Sequence, residues 1–326
     1  MNSYSDILNN ELIINSLKAA VKNGRVNHAY IFDGEKGIGK TSLAKAFAKT
    51  LNCEKGGEEA CGECTSCRTF DDGNNPDIFY IENEKGIKVD DVRLKINSQI
   101  MTRPYTNRFK IFIIKDADMM NVQAQNAFLK TLEEPPEFVK FLLLSTNFNR
   151  FLVTILSRCV LFKLRPLSQP QLCALLIKKG FTPYEADTAA HYSNGVVGRA
   201  LELHGSEEFE NLSRFALDLC VRMKSLDLID MYKETDALKD KKDQFDTLLQ
   251  LMYYIFRDAL VYKVTSDPDR LIHSAHLSEI QKICADFSQR RLTKACDAIE
   301  YARRRRAANG NFQFTAEELF YSIKEK

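Results

Sequence analysis

The chain has 326 residues, which is enough for two or three domains and excludes a miniprotein held together by disulfides. Lys and Arg total 46 against 44 Asp and Glu, a net charge of +2, and 44% of the residues are hydrophobic, as in a globular chain without a charged tail. The longest apolar runs are far shorter than the about 18 residues of a membrane span, and the first residues carry no secretory signal, so we expect a cytoplasmic protein outside the membrane.

The first half of the chain alternates between predicted helices and predicted strands. Strands separated by helices of ten or more residues imply crossover connections, which produce a parallel sheet. The sequence therefore predicts an α/β fold whose sheet has helices on both faces. The predicted helices are 7–21, 41–51, 90–100 and 121–132, and the predicted strands are 28–32, 77–82, 109–114, 141–145 and 160–164.

The second half of the chain has the periodicity of helices throughout. Arg165-Pro166 predicts a linker, and His204-Gly205-Ser206 predicts a second break. After that break the amphipathic pattern is clearest at 245–260 and 292–305. The sequence therefore predicts three domains, at 1–165, 166–205 and 206–326.

A glycine-rich loop lies between the first predicted strand and the helix that follows it. It matches the phosphate-loop pattern G-x-x-x-x-G-K-[ST] through Gly34, Gly39, Lys40 and Thr41, with Gly37 between them. In this pattern backbone N–H groups point at phosphate oxygens, the lysine reaches the terminal phosphates and the hydroxyl ligates Mg²⁺. We therefore predict a site able to hold ATP or ADP.

The strand at 109–114 lacks the acidic pair that hydrolysis requires. A nucleotide hydrolase of this class carries an acidic Mg²⁺ ligand at the end of a second strand, normally followed by a carboxylate that activates water. Here the strand is followed by Lys115, Asp116, Ala117 and Asp118, which gives no Asp-Glu pair in either register. The site is therefore predicted to bind Mg²⁺ poorly and to cleave nucleotide poorly. It remains open whether Asp116 or Asp118 replaces the missing carboxylates in a shifted geometry.

Four of the nine cysteines form a cluster in a segment rich in Gly, Glu and Thr. Cys53, Cys61, Cys64 and Cys67 have the spacing C-x7-C-x2-C-x2-C, and four thiolates at this spacing suit tetrahedral zinc. No histidine or water-activating carboxylate completes an open coordination site. We therefore predict a structural zinc ion rather than a catalytic one.

Three further segments complete a pattern that resembles one protein family. Residues 105–110 lead into a strand, 126–136 read Asn-Ala-Phe-Leu-Lys-Thr-Leu-Glu-Glu-Pro-Pro, and 157–159 read Ser-Arg-Cys. With the phosphate loop and the cysteine insertion, they resemble the bacterial DNA polymerase III clamp loader over the first two hundred residues, and 309–312 is similar to the end of its collar domain. The resemblance implies an AAA+ P-loop domain containing the zinc module, a small helical lid domain and an all-α collar domain for oligomerisation.

The family contains gamma or tau motor subunits, which hydrolyse ATP, and delta and delta-prime subunits, which do not. The motor pattern places Asp-Glu fifteen residues before the lysine of the Leu-Lys-Thr-Leu-Glu-Glu-Pro-Pro segment. Counting back from Lys130 puts Lys115 at the metal position and Asp116 at the base position. This departure, with Ser-Arg-Cys retained, resembles the delta-prime branch, whereas the intact phosphate loop distinguishes the chain from delta-prime proteins that have lost it.

The resemblance also implies roles for individual residues near the nucleotide sites. Arg158 would be an arginine finger supplied in trans to a neighbouring ATPase subunit, a contribution of about 10³–10⁵ in rate. Thr146 and Asn147 match the position that senses the nucleotide phosphate, although a turn cap explains them equally. The second-sensor arginine of the motor pattern aligns with Gly198, which leaves Arg199 one position late.

The implied function is that of a non-motor clamp-loader subunit that helps load the sliding clamp onto primed DNA during replication. The implied partners are the motor (gamma/tau) and delta subunits, the sliding clamp, and primed DNA contacted through its backbone, with Arg103 and Arg108 as candidate contacts. Such a chain belongs to the DNA polymerase III holoenzyme and has little or no ATPase activity of its own.

Two alternatives remain open from the sequence. The intact phosphate loop favours a gamma/tau-like motor, which Lys115 argues against. The other alternative is an unrelated P-loop regulator whose zinc module binds DNA directly.

Overall fold

A computed structural model describes residues 3–7, 9–83, 86–203, 206–308 and 310–324. The chain forms two compact units. The first contains Met1–Ser168 together with Gly195–Arg199, and the second contains Gln169–Asn194 together with Ala200–Lys326. Of the predicted break at 204–206, residues 204 and 205 lie outside the described ranges. The division into three domains stays a prediction.

The first unit is built on a five-stranded parallel sheet, as the alternating pattern predicts. The sheet has the order β2-β3-β4-β1-β5, and every neighbouring pair is parallel. Its central strands are fully buried because helices cover both faces. The strands are β1 (Ala29–Asp33), β2 (Ile78–Ile81), β3 (Lys110–Ile114), β4 (Val139–Ser145) and β5 (Val160–Lys163).

Successive side chains of each strand enter two separate cores. In β3, Ile111 and Ile113 pack in one core with Leu43 and Phe47, whereas Phe112 enters the other core. The helices that supply the two cores and the loops between them are α1 (Glu11–Lys22), α2 (Lys40–Leu51), α3 (Thr65–Asp71), α4 (Val89–Asp91), α5 (Ser98–Ile100), α6 (Val122–Glu133) and α7 (Val153–Leu156).

The observed elements differ from the predicted ones in three places. Helix α1 begins later than predicted, after Asn9, whose positive φ of 60° is not helical. The predicted helix at 90–100 contains a π-helical stretch, Val92–Asn97, between α4 and α5. Helix α3 follows the cysteine cluster and has no apolar periodicity long enough to predict it. It depends on the side chain of Cys64, which accepts a hydrogen bond from the N–H of Cys67 at the helix start.

The second unit is helical, as predicted for the second half of the chain. Its core contains Phe256 of the longest helix together with Leu292 and Phe320 from the last two helices. No helix within the described ranges has both the length and the apolar content needed to cross a bilayer. The helices are α8 (Gln169–Lys178), α9 (Pro183–Tyr192), α10 (Val197–Leu203, begun in the first unit), α11 (Glu207–Arg222), α12 (Leu228–Ala237), α13 (Phe245–Thr265), α14 (Leu277–Asp286), α15 (Gln289–Ala307) and α16 (Phe312–Lys324).

Candidate functional site

The phosphate loop joins β1 to α2 at the carboxyl edge of the sheet. Gly34 follows β1 directly, and its N–H donates to the carbonyl of Ser145 at 3.1 Å, the last residue of β4. Gly37 and Gly39 have φ of +85° and +109°, which side chains other than glycine rarely adopt. Thr41 lies in the first turn of α2. The loop therefore has the strand–loop–helix setting that a phosphate-binding role requires.

Lys40 is folded back over this loop. Its side chain is buried, and Nζ donates to the carbonyl oxygens of Gly34 at 2.5 Å and Glu35 at 2.9 Å. Burial lowers the pKa of Lys40, whereas the carboxylates of Asp116 and Asp33 act in the opposite direction. A phosphate group in the loop would compete with these two carbonyls for the same ammonium protons.

The residue at the predicted metal position turns away from Lys40. Lys115 Nζ lies 2.5 Å from a carboxylate oxygen of Glu82, just beyond the end of β2. The next residue, Asp116, has a left-handed backbone with φ of 46° and supplies the largest of the carboxylate effects on the pKa of Lys40. Asp116, at the predicted base position, therefore places a carboxylate near Lys40. Lys115, at the predicted metal position, supplies no carboxylate.

The predicted sensor residues take part in local hydrogen bonds after β4. Thr146 donates to the buried Asp118 carboxylate through its N–H at 3.2 Å and its hydroxyl at 3.0 Å. Asn147 accepts a hydrogen bond from the N–H of Asn149 at 3.1 Å and caps the turn Phe148–Arg150. Both side chains lie at the carboxyl edge of the sheet with the phosphate loop, and their sensing role stays a prediction.

A contact that the sequence does not reveal joins the phosphate loop to the start of α10. The N–H of Gly198 donates to the carbonyl of Gly37 at 2.9 Å. A Cβ atom on Gly198 would lie 2.6 Å from the Cα of Gly37, so any side chain at this position requires the backbone to move. The aligned second-sensor arginine of the motor pattern therefore has no room here.

Arg158 lies at the opposite edge of the sheet. Val160 pairs with Tyr30, so Arg158 precedes β5 at the level where β1 begins. Arg158 is therefore level with residue 28, and Gly34 lies six residues further along the direction of β1. At about 3.3 Å per residue, this separation is about 20 Å. Arg158 therefore cannot reach the phosphate loop of its own chain.

The guanidinium of Arg158 is held at the surface by three acceptors. It donates to Glu133 Oε1 at 3.1 Å, to the carbonyl of Thr154 at 3.0 Å and to the hydroxyl of Ser157 at 3.4 Å. Its side chain remains 35% exposed. A partly exposed, oriented guanidinium can bind an oxyanion presented by another chain.

The four cysteines predicted to bind zinc lie together. The Sγ atoms of Cys53, Cys61, Cys64 and Cys67 are all within 4.8 Å of one another, with 4.0 Å between those of Cys61 and Cys67. Tetrahedral zinc with Zn–S bonds of about 2.3 Å places sulfur atoms about 3.8 Å apart. The four sulfur positions are therefore close to those that tetrahedral zinc requires.

Backbone N–H groups are directed at the cysteine sulfurs, as expected for thiolates. Sγ of Cys61 accepts from the N–H groups of Glu63 at 3.5 Å and Cys64 at 3.4 Å. These hydrogen bonds lower the pKa of Cys61 to about 6. Ion pairs from Lys18 and Lys22 to Glu59 and Glu58 attach the insertion to α1.

Comparison with known proteins finds similarity to subunits of DNA polymerase III. Residues 9–168 match the family model described as DNA polymerase III, delta subunit. The chain is 27% identical over 317 residues to the DNA polymerase III subunit delta' of Bacillus subtilis, covering 96% of this chain and 95% of that protein. Over 171 residues it is 42% identical to the subunit tau/gamma of Haemophilus influenzae, covering 52% of this chain but only 25% of that protein.

Among solved structures, the chain is similar to a DNA polymerase III gamma subunit-related protein from Thermotoga maritima. The alignment has a TM-score of 0.40 and 18% identity, and covers 96% of this chain and 98% of that one.

Proposed function

The chain belongs to the family of DNA polymerase III clamp-loader subunits, and from this premise we propose that it is a delta'-like, non-motor component of the clamp loader in DNA replication. In this role it assembles with gamma/tau motor subunits and a delta subunit in the cytoplasm. The complex holds the sliding clamp and contacts the backbone of primed DNA. Membership of this family removes the alternative of an unrelated P-loop regulator.

The single observation that carries the non-motor assignment is Lys115 at the end of β3. Its ammonium group pairs with Glu82, so the position that needs an acidic Mg²⁺ ligand carries a cation directed elsewhere. Nucleotide binding by Gly34, Lys40 and Thr41 is compatible with this assignment, because holding phosphates and cleaving them require different residues. The phosphate loop then holds ATP or ADP as a structural ligand.

Arg158 is the residue through which this subunit acts on its neighbour. Because it lies at the sheet edge opposite the phosphate loop, its guanidinium serves a nucleotide bound by the adjacent motor subunit. There it neutralises charge that develops on the transferring phosphoryl group. The zinc ion, held by Cys53, Cys61, Cys64 and Cys67, supports the fold of the insertion and takes no part in this chemistry.

A gamma/tau-like motor remains the second candidate, because Asp116 lies near Lys40 and the phosphate loop is complete. ATP hydrolysis by the isolated full-length chain separates the two functions. We expect no turnover above background, with or without primed DNA. Turnover that primed DNA stimulates and Lys40→Ala abolishes would establish a motor instead.

A further inference from the structure

Lys140, the second residue of β4, is a buried lysine with few acceptors. Its residue is only 7% exposed, and within the described residues its one hydrogen bond runs from Nζ to the carbonyl of Val26 at 3.3 Å. No carboxylate of these ranges lies within 4.0 Å of its ammonium group. A buried cation that has a carbonyl acceptor but no carboxylate among the described residues is costly, so this position is suited to an external anion.

A second cation lies beside it. Arg108 and Lys140 each lie 5.0 Å from the centroid of the Phe109 ring, so their charged groups are within about 10 Å of each other. Burial and the charge of Arg108 lower the pKa of Lys140, and the charge of Glu137 has a smaller effect in the opposite direction. Arg108 also forms no ion pair in the part of the chain that the structure describes.

Both cations line a cavity of about 340 Å³ at the amino ends of β3 and β4. This volume is at the lower end of the about 300–1,000 Å³ typical of small-molecule sites. Phosphate oxygens suit the two charges, because arginine and lysine both bind phosphate well. Glu137 also lines the cavity, so the two cations exceed its carboxylates by one charge, and the rest of the wall consists of Gly24 and the apolar side chains of Val21, Val26, Leu51, Phe109 and Phe138.

We propose that this cavity binds an organic phosphate, with Lys140 and Arg108 on the phosphate oxygens and the apolar walls around the body of the molecule. The site lies at the sheet edge opposite the phosphate loop, so it is separate from the nucleotide site. The phosphate belongs either to a small ester or to a nucleic acid strand, and both sources present the same chemistry to the two cations.

Titration calorimetry of the full-length protein with phenyl phosphate tests the site. We expect Lys140→Met to weaken binding at least tenfold. The matched control is Lys110→Met, which removes a lysine equally buried in the neighbouring strand. Because Lys110 is satisfied by the carbonyl of Gln99 at 2.9 Å and the hydroxyl of Thr102 at 2.6 Å, its loss should change the affinity less than twofold.

Thermal unfolding in phosphate-free buffer gives an independent readout. Lys140→Met should raise the melting temperature, because it replaces an unpaired buried charge with an apolar side chain of similar length, whereas Lys110→Met should lower it. Phenyl phosphate should then raise the melting temperature of the wild type but not that of Lys140→Met.

A short single-stranded oligonucleotide distinguishes the two sources. If it displaces phenyl phosphate in a Lys140-dependent manner, the natural ligand is a nucleic acid phosphate; if only phenyl phosphate binds, the ligand is a small ester. Both results support the site. The proposal is overturned if neither probe shows Lys140-dependent binding, or if Lys140→Met destabilises the protein as Lys110→Met does.

Discussion

The guanidinium of Arg158 is oriented by Glu133, the last residue of α6. Glu133 lies in the Leu-Glu-Glu-Pro-Pro segment, and its Oε1 is 3.1 Å from the guanidinium of Arg158. Thr154 and Ser157 complete the support. An exposed ion pair of this kind contributes about 0.2–1 kcal/mol, too little to hold the fold but enough to select one orientation of a side chain.

Glu133→Gln is therefore predicted to lower ATP turnover in the reconstituted clamp loader. We expect a loss of up to about fivefold in turnover, the equivalent of about 1 kcal/mol. Without the carboxylate, the guanidinium of Arg158 samples more orientations, and fixing one of them at the neighbouring nucleotide costs free energy. The measurement is DNA-stimulated turnover by a complex that contains the motor subunits. The apparent KM for ATP should change little.

Glu134→Gln is the matched control, because Glu134 follows directly in the sequence, is exposed and forms no ion pair among the described residues. It should leave turnover unchanged. Equal losses in the two variants would mean that the acidic charge of this segment matters rather than the contact with Arg158.

At the scale of residues, the sequence predicts which side chains belong to candidate sites, but it does not predict their ion pairs and contacts. The four clustered cysteines are predictable from their spacing alone, because this spacing is typical of metal ligation. The pairing of Lys115 with Glu82 joins the residues that directly follow two different strands, and the contact of Gly198 with Gly37 brings together distant segments. Such contacts depend on tertiary packing, which the periodicity of a sequence does not encode.

We predict that the cysteine insertion is an element whose order depends on a bound metal. It contains the short helix α3 and contributes only Phe70 to the core that α1 and α2 share. The energy that orders it is therefore predicted to come from zinc ligation. Serine is itself a good helix cap, so Cys64→Ser keeps the start of α3 while removing one ligand.

We predict that the wild type contains about one zinc ion per chain and that Cys64→Ser lowers this content at least tenfold. Amide exchange at residues 58–64 should accelerate, because the loop loses its anchor. Zinc analysis and hydrogen exchange provide the two measurements. Cys173→Ser in α8 serves as the control and should retain the metal, and a metal-free wild type would refute the zinc assignment.

A buried polar network joins three elements of the helical unit. Asp258 of α13 is fully buried and accepts hydrogen bonds from the N–H and Nδ1 of His273, each at 2.8 Å, and from Arg257 at 2.8 Å. Nε2 of His273 lies 2.6 Å from the hydroxyl of Tyr192 in α9. Burial alone would raise the pKa of Asp258, but these hydrogen bonds outweigh it and lower the pKa below the ordinary value.

This network predicts acid sensitivity of the helical unit. Because the pKa of Asp258 is lower in the folded state, its contribution to stability is complete above the unfolded pKa of about 3.9 and is lost as the pH falls through the folded pKa. Asp258→Asn should cost about 3 kcal/mol at neutral pH and remove this part of the acid dependence. Urea unfolding at several pH values measures both effects.

The control is Asp246→Asn on the same helix, whose side chain is 69% exposed. It should cost less than about 1 kcal/mol at any pH. Similar pH profiles for wild type and Asp258→Asn would show that Asp258 does not titrate differently on folding.

At the scale of elements, the strands of the sheet and the long helices are predictable because their apolar patterns are long and regular. The pattern at 109–114 gives β3, and the pattern at 245–260 gives most of α13, which extends to Thr265. The π-helical stretch Val92–Asn97 and the short helix α3 are not predictable in this way. Val92 and Ile96 are buried at helical spacing, so the apolar pattern predicts a helix at 90–100 but not its π-type hydrogen bonding, and α3 begins with the hydrogen bond to the Cys64 side chain.

For the molecule as a whole, we propose that its two nucleotide-related features serve two different chains. The phosphate loop lies at the carboxyl edge of the sheet, and Arg158, proposed to act on a neighbour's nucleotide, lies at the opposite end of the strands. A parallel sheet produces this separation, because its loops emerge at two opposite ends. The parallel direction of the strands follows from the crossover pattern, whereas the order β2-β3-β4-β1-β5 and the assembly of several chains are not encoded in that pattern.

The measurement that tests this account most directly is ATP turnover by a clamp loader reconstituted with motor subunits, the sliding clamp and primed DNA. Arg158→Ala should remove the turnover of the neighbouring site, where the loss of a finger amounts to at least about 10³ in rate. Lys40→Ala in the same chain should leave turnover nearly unchanged. The opposite result, with turnover lost in Lys40→Ala and retained in Arg158→Ala, would contradict the account and identify the chain as a motor.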